Sequence, residues 1–401
     1  MLACLLLVLV APLATAASSH AQTSFRTGIE VLLHDRLDLI RGKNVGLITN
    51  PTGVNGQLVS DIDLLAKAPG VHLVALFGPE HGIRGSHQAG AHVGTVTDPV
   101  TGVPIYSLYG KTRQPTPAML KNVDVLVFDI QAVGSRFYTY LYTMADAMKA
   151  AAKADIPILV LDRPDPIGGI KVQGPVLDPA YASFVGKYPI ALRYGMTVGE
   201  LATLFNDQFD IGADLTVVKI RGWKRSMYYS DTPLPFVMPS PNMPTQTTAL
   251  VYPGMGLVEG TNLSEGRGTT RPFELTGAPW INANELADAL NGKHLAGVRF
   301  RPVHFTPTFS KFDGKPCNGV QVHVMDRDRF NPVVVGLTVI KTIHDMYPKR
   351  FAFKKSHFDH LVGNDWIRQD ILKGVSVAAM QKRWQKGLAK FKKIRAKYLL
   401  Y

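Results

Sequence analysis

Val71-His72-Leu73-Val74-Ala75-Leu76-Phe77-Gly78-Pro79-Glu80-His81-Gly82-Ile83-Arg84-Gly85 is the stretch that decides the fold. An apolar run of strand length stops at a loop that holds an acid, an imidazole and a guanidinium together. Gly78, Gly82 and Gly85 let the backbone turn sharply and approach a ligand closely. Pro79 removes a donor and stiffens the entry. A buried strand ending in such a loop is the unit of an open α/β sheet, where ligands bind beyond the carboxyl ends of the strands. Glu80 is therefore a candidate acid or base on a rigid strand end, and His81 its partner or orienter.

The flanking sequence repeats the pattern. Apolar runs at 44–49, 72–77, 123–130 and 156–161 read as strands. Helical patterns at 58–65 and 136–153 separate them, the second with Phe137, Leu141, Met144 and Met148 at helical spacing. Such alternation predicts a parallel sheet with helices on both faces. The four runs end in Asn50, in Glu80 and His81, in Asp129 and Gln131, and in Asp162 and Arg163. Any one of these is an ordinary capping or loop residue. Polar groups at four successive strand ends predict one cleft. The first turn, Thr49-Asn50-Pro51-Thr52-Gly53, lacks the Gly-x-Gly-x-x-Gly spacing, and the chain has no P-loop. Dinucleotide and nucleoside-triphosphate sites are excluded on that ground, and no cofactor is expected.

From about residue 230 the character changes. Pro233, Pro235, Pro239, Pro241, Pro244 and Pro253 crowd one region, which reads as a crossing segment with little regular structure. Strand patterns at 298–305 and 320–325 and helical patterns at 334–346 and 375–398 follow. The expected organisation is a leader over 1–21, a first α/β domain over 22–235, and a smaller α/β (α+β) domain over 236–401, with a cleft between the two.

The second domain supplies a loop, Gly256 to Arg271, that holds Glu259, Asn262, Glu265, Arg267 and Arg271 among glycines and hydroxyl side chains. So many polar types with so few apolar ones suit a polyhydroxylated or anionic ligand. Glu80 with Glu259 or Glu265 would give the two carboxylates that glycoside hydrolysis uses, one as proton donor and the other as nucleophile, base or electrostatic stabiliser. After the third strand, Ser135 is a candidate helix cap. Arg136 is a candidate bidentate carboxylate binder, and Tyr138 and Tyr140 are candidate stacking platforms. Glu80, His81, His87 and His92 lie close together but match no zinc spacing. A Gly-x-Ser-x-Gly elbow does not occur.

The chain has 401 residues, 46% of them hydrophobic and 19% charged, enough for large cores and too apolar for wholesale disorder. Residues 1–10 are nearly all Leu, Val and Ala, and small residues follow, as in a secretory leader. Loss of Cys4 with that leader leaves Cys317 alone, so no internal disulfide is expected. The apolar stretch is short for a membrane span, and no later segment is long enough. An exported, periplasmic or secreted protein with net charge +13 is expected to meet anionic wall polymers or headgroups, not nucleic acid. The last helix carries Trp384, Leu388, Phe391 and Tyr398 on one stripe among many lysines. It reads either as a membrane-surface helix or, the plainer expectation, as a docked helix whose solvated basic face is a candidate for weak contact with an anionic surface.

Taken together, these residues resemble the exo-β-N-acetylmuramidases of the NamZ family. The resemblance runs through Gly78-Pro-Glu-His-Gly-Ile-Arg-Gly85, Asp129 to Tyr140, Leu161-Asp-Arg-Pro-Asp-Pro-Ile-Gly-Gly169, Gly195-Met-Thr-Val-Gly-Glu-Leu201, Ser240-Pro-Asn-Met-Pro-Thr245, Glu259 to Thr270 and Tyr398-Leu-Leu-Tyr401. It implies a Rossmann-like N-terminal domain, a smaller C-terminal domain, and release of N-acetylmuramic acid from the non-reducing end of peptidoglycan fragments. Glu80 matches the family's proposed catalytic glutamate. The lactyl carboxylate of muramic acid would need a cation, for which Arg84, Arg136, Arg267 and Arg271 are candidates. Ala132 and Tyr194 are read as departures, standing where an Asp and a His are usual. The rival expectations are a wall-glycan binder with lost activity and a metal-dependent amide hydrolase acting on muropeptides.

Overall fold

The computed structural model describes residues 25–80, 82–83, 96–110 and 112–401. The leader expected over 1–21, with Cys4, lies outside the described residues, as do His81, Arg84, His87 and His92.

The first domain is built on strands β1 (Asn44–Thr49), β2 (His72–Gly78), β3 (Val96–Thr97), β4 (Pro104–Ser107), β5 (Val125–Asp129), β6 (Ile158–Leu161) and β9 (Leu215–Val218). They form one sheet in the order β3-β4-β2-β1-β5-β6-β9, parallel throughout except at the edge pair β3–β4. β5 and β6 are buried at every position, because helices cover both faces. Those helices are α1 (Gly28–Asp35), α2 (Asp61–Lys67), α3 (Pro117–Leu120), α4 (Tyr140–Ala154) and α5 (Val198–Gln208). A short antiparallel pair, β7 (Gln173–Val176) and β8 (Ala191–Arg193), stands apart from the main sheet. The chain leaves β1 toward β2 and later returns to its other side with β5, so the strand order reverses between β1 and β5. That reversal point opens the crevice in which open α/β sheets bind ligands.

The second domain has a three-stranded antiparallel sheet, β10 (Leu275–Ala278), β12 (Cys317–Val324) and β11 (Val298–Phe305), in that order. Its helices are α6 (Gln246–Met255), α7 (Ala283–Asn291), α8 (Pro332–Met346), α9 (Lys355–Val362), α10 (Trp366–Leu372) and α11 (Val377–Arg395). Local signals start several of these cleanly. Thr197 and Glu200 form a capping box on α5, and Asn331 caps α8 with Pro332 behind it. One buried core continues from Phe77 and Phe128, through Leu141 and Phe205, into Phe300, Val320 and Trp384. The two domains therefore share an interior.

Two expectations change here. The helix after β5 starts at Tyr140, not at residue 136, and Ser135 caps nothing. The Arg136 amide donates to the Leu192 carbonyl (2.9 Å), which diverts this stretch into a bridge with β8. The proline-rich crossing segment also contains α6, which runs through Pro253. A mid-helix proline costs about 3 kcal/mol, but Pro253 falls in the last turn of a helix packed tightly on α8. A Cβ on Gly254 would overlap the Pro332 carbonyl, and one on Gly336 would overlap the Gly254 backbone. That close crossing holds α6 in place.

Candidate active site

β2 carries its apolar residues into the core and releases the chain at Gly78. The Gly82 amide then donates to the Pro79 carbonyl (3.0 Å), closing a tight turn with Gly82 at φ 73°. That backbone suits glycine, and the turn leaves Glu80 at its crest. The Tyr140 hydroxyl donates to the Pro239 carbonyl (2.8 Å) and lies 3.3 Å from the Glu80 carbonyl, so it ties the crest to the crossing segment.

Glu80 lines a cavity of about 190 Å³ whose opposite wall comes from the second domain. Glu259, Arg267 and Phe273 form that wall. Tyr138, Tyr252 and Phe184 supply aromatic surface, and Ser240 and Asn242 supply polar groups. The rings meet edge to face, with centroids 6.0 Å apart for Tyr138 and Tyr252 and 4.6 Å for Tyr252 and Phe273. Interlocked rings make a rigid apolar floor.

The two carboxylates sit in different surroundings. Glu259 belongs to the 3-10 turn Gly256–Gly260. The Arg267 guanidinium binds it through Nε (3.1 Å) and Nη2 (2.5 Å), and the His357 imidazole lies 3.9 Å away. Burial by itself would raise the Glu259 carboxyl, but His357 and then Arg267 outweigh burial and hold it below the usual range. Glu80 faces Tyr109 instead. Burial, then the adjacent Glu80 charge, push the Tyr109 phenol above its ordinary value. A phenol that keeps its proton beside a carboxylate is a hydrogen-bond donor to it.

The loop bearing Glu259 is fixed from below by Lys311. Its ammonium donates to the carbonyls of Val258 (3.2 Å), Glu259 (3.1 Å) and Leu263 (2.9 Å), and lies 3.0 Å from the Glu265 carboxylate. Glu265 is buried between Lys311 and Arg267 and does not line the cavity. It braces the loop rather than facing a ligand.

Of the expected binding residues, Tyr138 and Arg267 line the cavity. The other described candidates are occupied elsewhere. Arg136 is fully buried, with Nη1 on the carbonyls of Pro175 (2.9 Å) and Ile190 (3.2 Å) and Nη2 on that of Leu361 (3.0 Å). Burial lowers its pKa to about 10. It clamps the two domains together, with both Nη groups taken by carbonyls, and it lies off the cavity. Arg163 is buried against both oxygens of Asp129, with Asp61 at 3.7 Å. The Asp162 carboxylate accepts from Thr197 (2.7 Å), from the Gly199 amide (2.7 Å) and from the Tyr401 hydroxyl (2.8 Å). Gln131 donates to the carbonyls of Ala132 and Pro164, and Asn50 accepts from Thr52 and donates to Pro239. Asn262 staples its loop to Arg350 and Ala352. Arg271 is 49% exposed, pairs with Glu274 and lies off the cavity. Tyr194 is buried with its hydroxyl accepting from the Gly134 amide, and Ala132 is buried too, so neither lies on the cavity wall.

Sequence reading did not single out Tyr109, Phe184, Tyr252, Asn242 or His357 as site residues. Tyr252 lies four residues from the start of the acidic loop, and that proximity was its one available signal. Arg113 was missed as well; its guanidinium stacks 4.3 Å from the Phe184 ring at the rim. Among the described residues, no three His, Cys, Asp or Glu side chains are arranged to hold a metal ion.

A carboxylate from each domain, over a floor of aromatic rings, places this chain among enzymes that cleave glycosidic bonds. The sequence comparisons give the finer class. The N-terminal domain profile of the exo-β-N-acetylmuramidase NamZ family matches residues 45–247, and its C-terminal profile matches residues 250–401. The chain belongs to that family. It is 60% identical over 377 residues to the peptidoglycan β-N-acetylmuramidase NamZ of Bacillus subtilis strain 168, covering 94% of this chain and 91% of the relative. Two solved structures of DUF1343 family proteins from Bacteroides fragilis NCTC 9343 superpose on it. One is 42% identical with a TM-score of 0.88, the other 33% identical with a TM-score of 0.76. Each alignment covers 94% of this chain and 99% of the solved one.

Proposed function

We propose that this protein is an exo-acting glycoside hydrolase that releases β-linked N-acetylmuramic acid from the non-reducing end of peptidoglycan fragments, in wall turnover. The observation that carries the reading is the meeting of Glu80 and Glu259 across one cavity, each in a different electrostatic setting. Glu80, which faces the Tyr109 phenol and lines the cavity, is the group placed to exchange a proton with the glycosidic oxygen. Glu259 is held ionised by Arg267 and His357 and offers negative charge to the cationic sugar of the transition state. Tyr138 and Tyr252 give the sugar a stacking floor. Arg267 lines the cavity and Arg113 stacks on its lining residue Phe184, so these are the candidate cations for the lactyl carboxylate.

The test is Glu80→Gln on a chromogenic N-acetylmuramide. Loss of the proton donor with its shape retained should lower kcat by roughly 10²–10⁴-fold and leave the melting temperature unchanged. Near-wild-type turnover would remove Glu80 from the mechanism.

Export is part of the same reading. The apolar leader over 1–21 and the single cysteine left after its removal support it. Amino-terminal sequencing of the protein recovered outside the cytoplasm should begin near residue 17 or 22. An intact Met1 on that material would overturn leader cleavage.

A further inference from the structure

The helix α11 carries charge that the catalytic reading leaves unused. Between residues 377 and 398 the chain has Lys382, Arg383, Lys386, Lys390, Lys392, Lys393, Arg395 and Lys397 and no Asp or Glu. Eight cations in one segment are more than half of a net charge of +13. Two are committed: Arg383 pairs with Asp370 of α10 (3.1 Å), and Arg395 is buried on the carbonyls of Gly169 and Gly195. Lys397 faces Asp207 at longer range. Asp345, on the neighbouring α8, is paired with Lys341.

Lys382, Lys386, Lys390, Lys392 and Lys393 remain. All five are exposed and have no ion pair among the described residues. At 100° per residue Lys382, Lys386, Lys390 and Lys393 fall within about 80° of arc and span roughly 16 Å of helix, while Lys392 lies about 80° outside that arc. Like charges three and four residues apart repel and weaken the helix that carries them. The helix dipole favours Lys393 in the last turn, but no described carboxylate pairs with any of the four. The opposite stripe, Met380, Trp384, Leu388 and Phe391, is buried in the core.

We infer that the outward face of α11 is a docking surface for a linear polyanion of the cell wall, a phosphodiester-linked chain lying in the same matrix as the substrate. The choice of a wall polymer rests on the proposed muramidase function. The chemistry of the face narrows the rest. Four flexible point charges about one helical turn apart match a regular row of phosphates and read no sequence. A membrane-surface helix would present apolar side chains to the lipid, and here those are buried. A single-stranded nucleic-acid site would stack bases on aromatic rings, and α11 exposes none.

The test measures retention of the full chain on poly(glycerol phosphate). The parallel arms are a single-stranded oligonucleotide of equal charge and phosphatidylglycerol vesicles. One variant carries Lys382→Gln, Lys386→Gln, Lys390→Gln and Lys393→Gln. A control of identical net charge carries Lys67→Gln, Lys121→Gln, Lys153→Gln and Lys219→Gln, all exposed on the first domain. Wild type and control should bind the polymer with affinity that falls steeply with salt, and the α11 variant should bind roughly tenfold or more weakly. Neither variant should melt below wild type, and both should keep wild-type turnover of a small chromogenic muramide. Equal weakening of both variants would show net charge alone at work and overturn the docking surface. Wild-type binding to vesicles or oligonucleotide as tight as to the polymer would overturn the assigned partner. Retention does not depend on turnover, so a failure here is distinguishable from a failure of the muramidase reading.

Discussion

The end of β2 and the ends of β5 and β6 occupy equivalent places in one sheet, and they meet opposite fates. At β2 the turn through Gly82 lifts Glu80 into a cavity walled by the second domain. At β5 and β6 the acids turn inward. Asp129 is consumed by Arg163, and Asp162 by Thr197, Gly199 and the C-terminal Tyr401. The difference lies in the partner within reach. A buried charge must be paired or neutralised, and the ends of β5 and β6 meet Arg163, the start of α5 and the C-terminal Tyr401. A polar residue at a strand end is thus as readily a structural ion as a catalytic one.

The sharpest way to break this comparison is to remove Arg163. Arg163→Met would leave Asp129 in the core without its guanidinium partner, beside Asp61, whose carboxyl burial and then the charge of Asp129 already push well above its usual range. Loss of one partner of a buried pair costs about 3–5 kcal/mol. Denaturant melts should show that loss in Arg163→Met and none in Glu80→Gln. A stable Arg163→Met with its turnover abolished would move Arg163 back into the cleft.

Asp165, three residues beyond Asp162, tests the same division through pH. Burial, opposed by the charge of Arg193, leaves its pKa at about 7. The folded protein therefore keeps a proton up to about pH 7 that the unfolded chain gives up near pH 4. Between those values the folded state binds more protons, so stability falls as pH rises through the window and levels off above it. Asp162, raised to about 6 by burial, adds to the lower part of the slope. Asp165→Asn should flatten the stability profile between about pH 4 and 7. An unaltered slope in chemical denaturation would show that Asp165 carries no retained proton.

The strand–helix alternation and the cleft at the strand ends were legible in the sequence because period and punctuation are local properties. The acidic loop was legible as a ligand loop for the same reason. Which of its residues face the ligand was not. Glu259 and Glu265 are six positions apart with similar flanks, and they are separated only by Lys311, which arrives from the β11–β12 hairpin and captures Glu265 from beneath. Arg136 misled because an arginine after a strand end looks like an anion clamp. Its partners, the carbonyls of residues 175, 190 and 361, are brought together by the fold alone. Tyr109, Phe184 and His357 carried no local mark at all.

Within the cleft, Arg267→Met sharpens the contrast between the two glutamates. Without Arg267 only His357 would oppose the desolvation of Glu259, and its carboxyl would move up. The acid limb of kcat/KM should move to higher pH, so that activity falls more at about pH 5 than at about pH 7. The pH–rate profile of the variant decides this, and an unmoved acid limb would mean that Glu259 is not the ionised partner of the reaction.

The smallest effect belongs to Asn262, which lies in the same loop and faces away from its chemistry. Its side chain donates to the Arg350 carbonyl (2.8 Å) and accepts from the Ala352 amide (2.9 Å), so it joins the acidic loop to the segment that leads into α9. Asn262→Ala removes two hydrogen bonds in a partly exposed place, for a loss of about 1–2 kcal/mol. Because Lys311 and Arg267 still hold Glu259, kcat/KM should stay within about twofold of wild type, a change well under 1 kcal/mol in the barrier. A large rise in KM without loss of stability would give Asn262 a place against the sugar. A fall in both stability and kcat would instead show that the staple to residues 350–352, and not Lys311, sets where Glu259 stands.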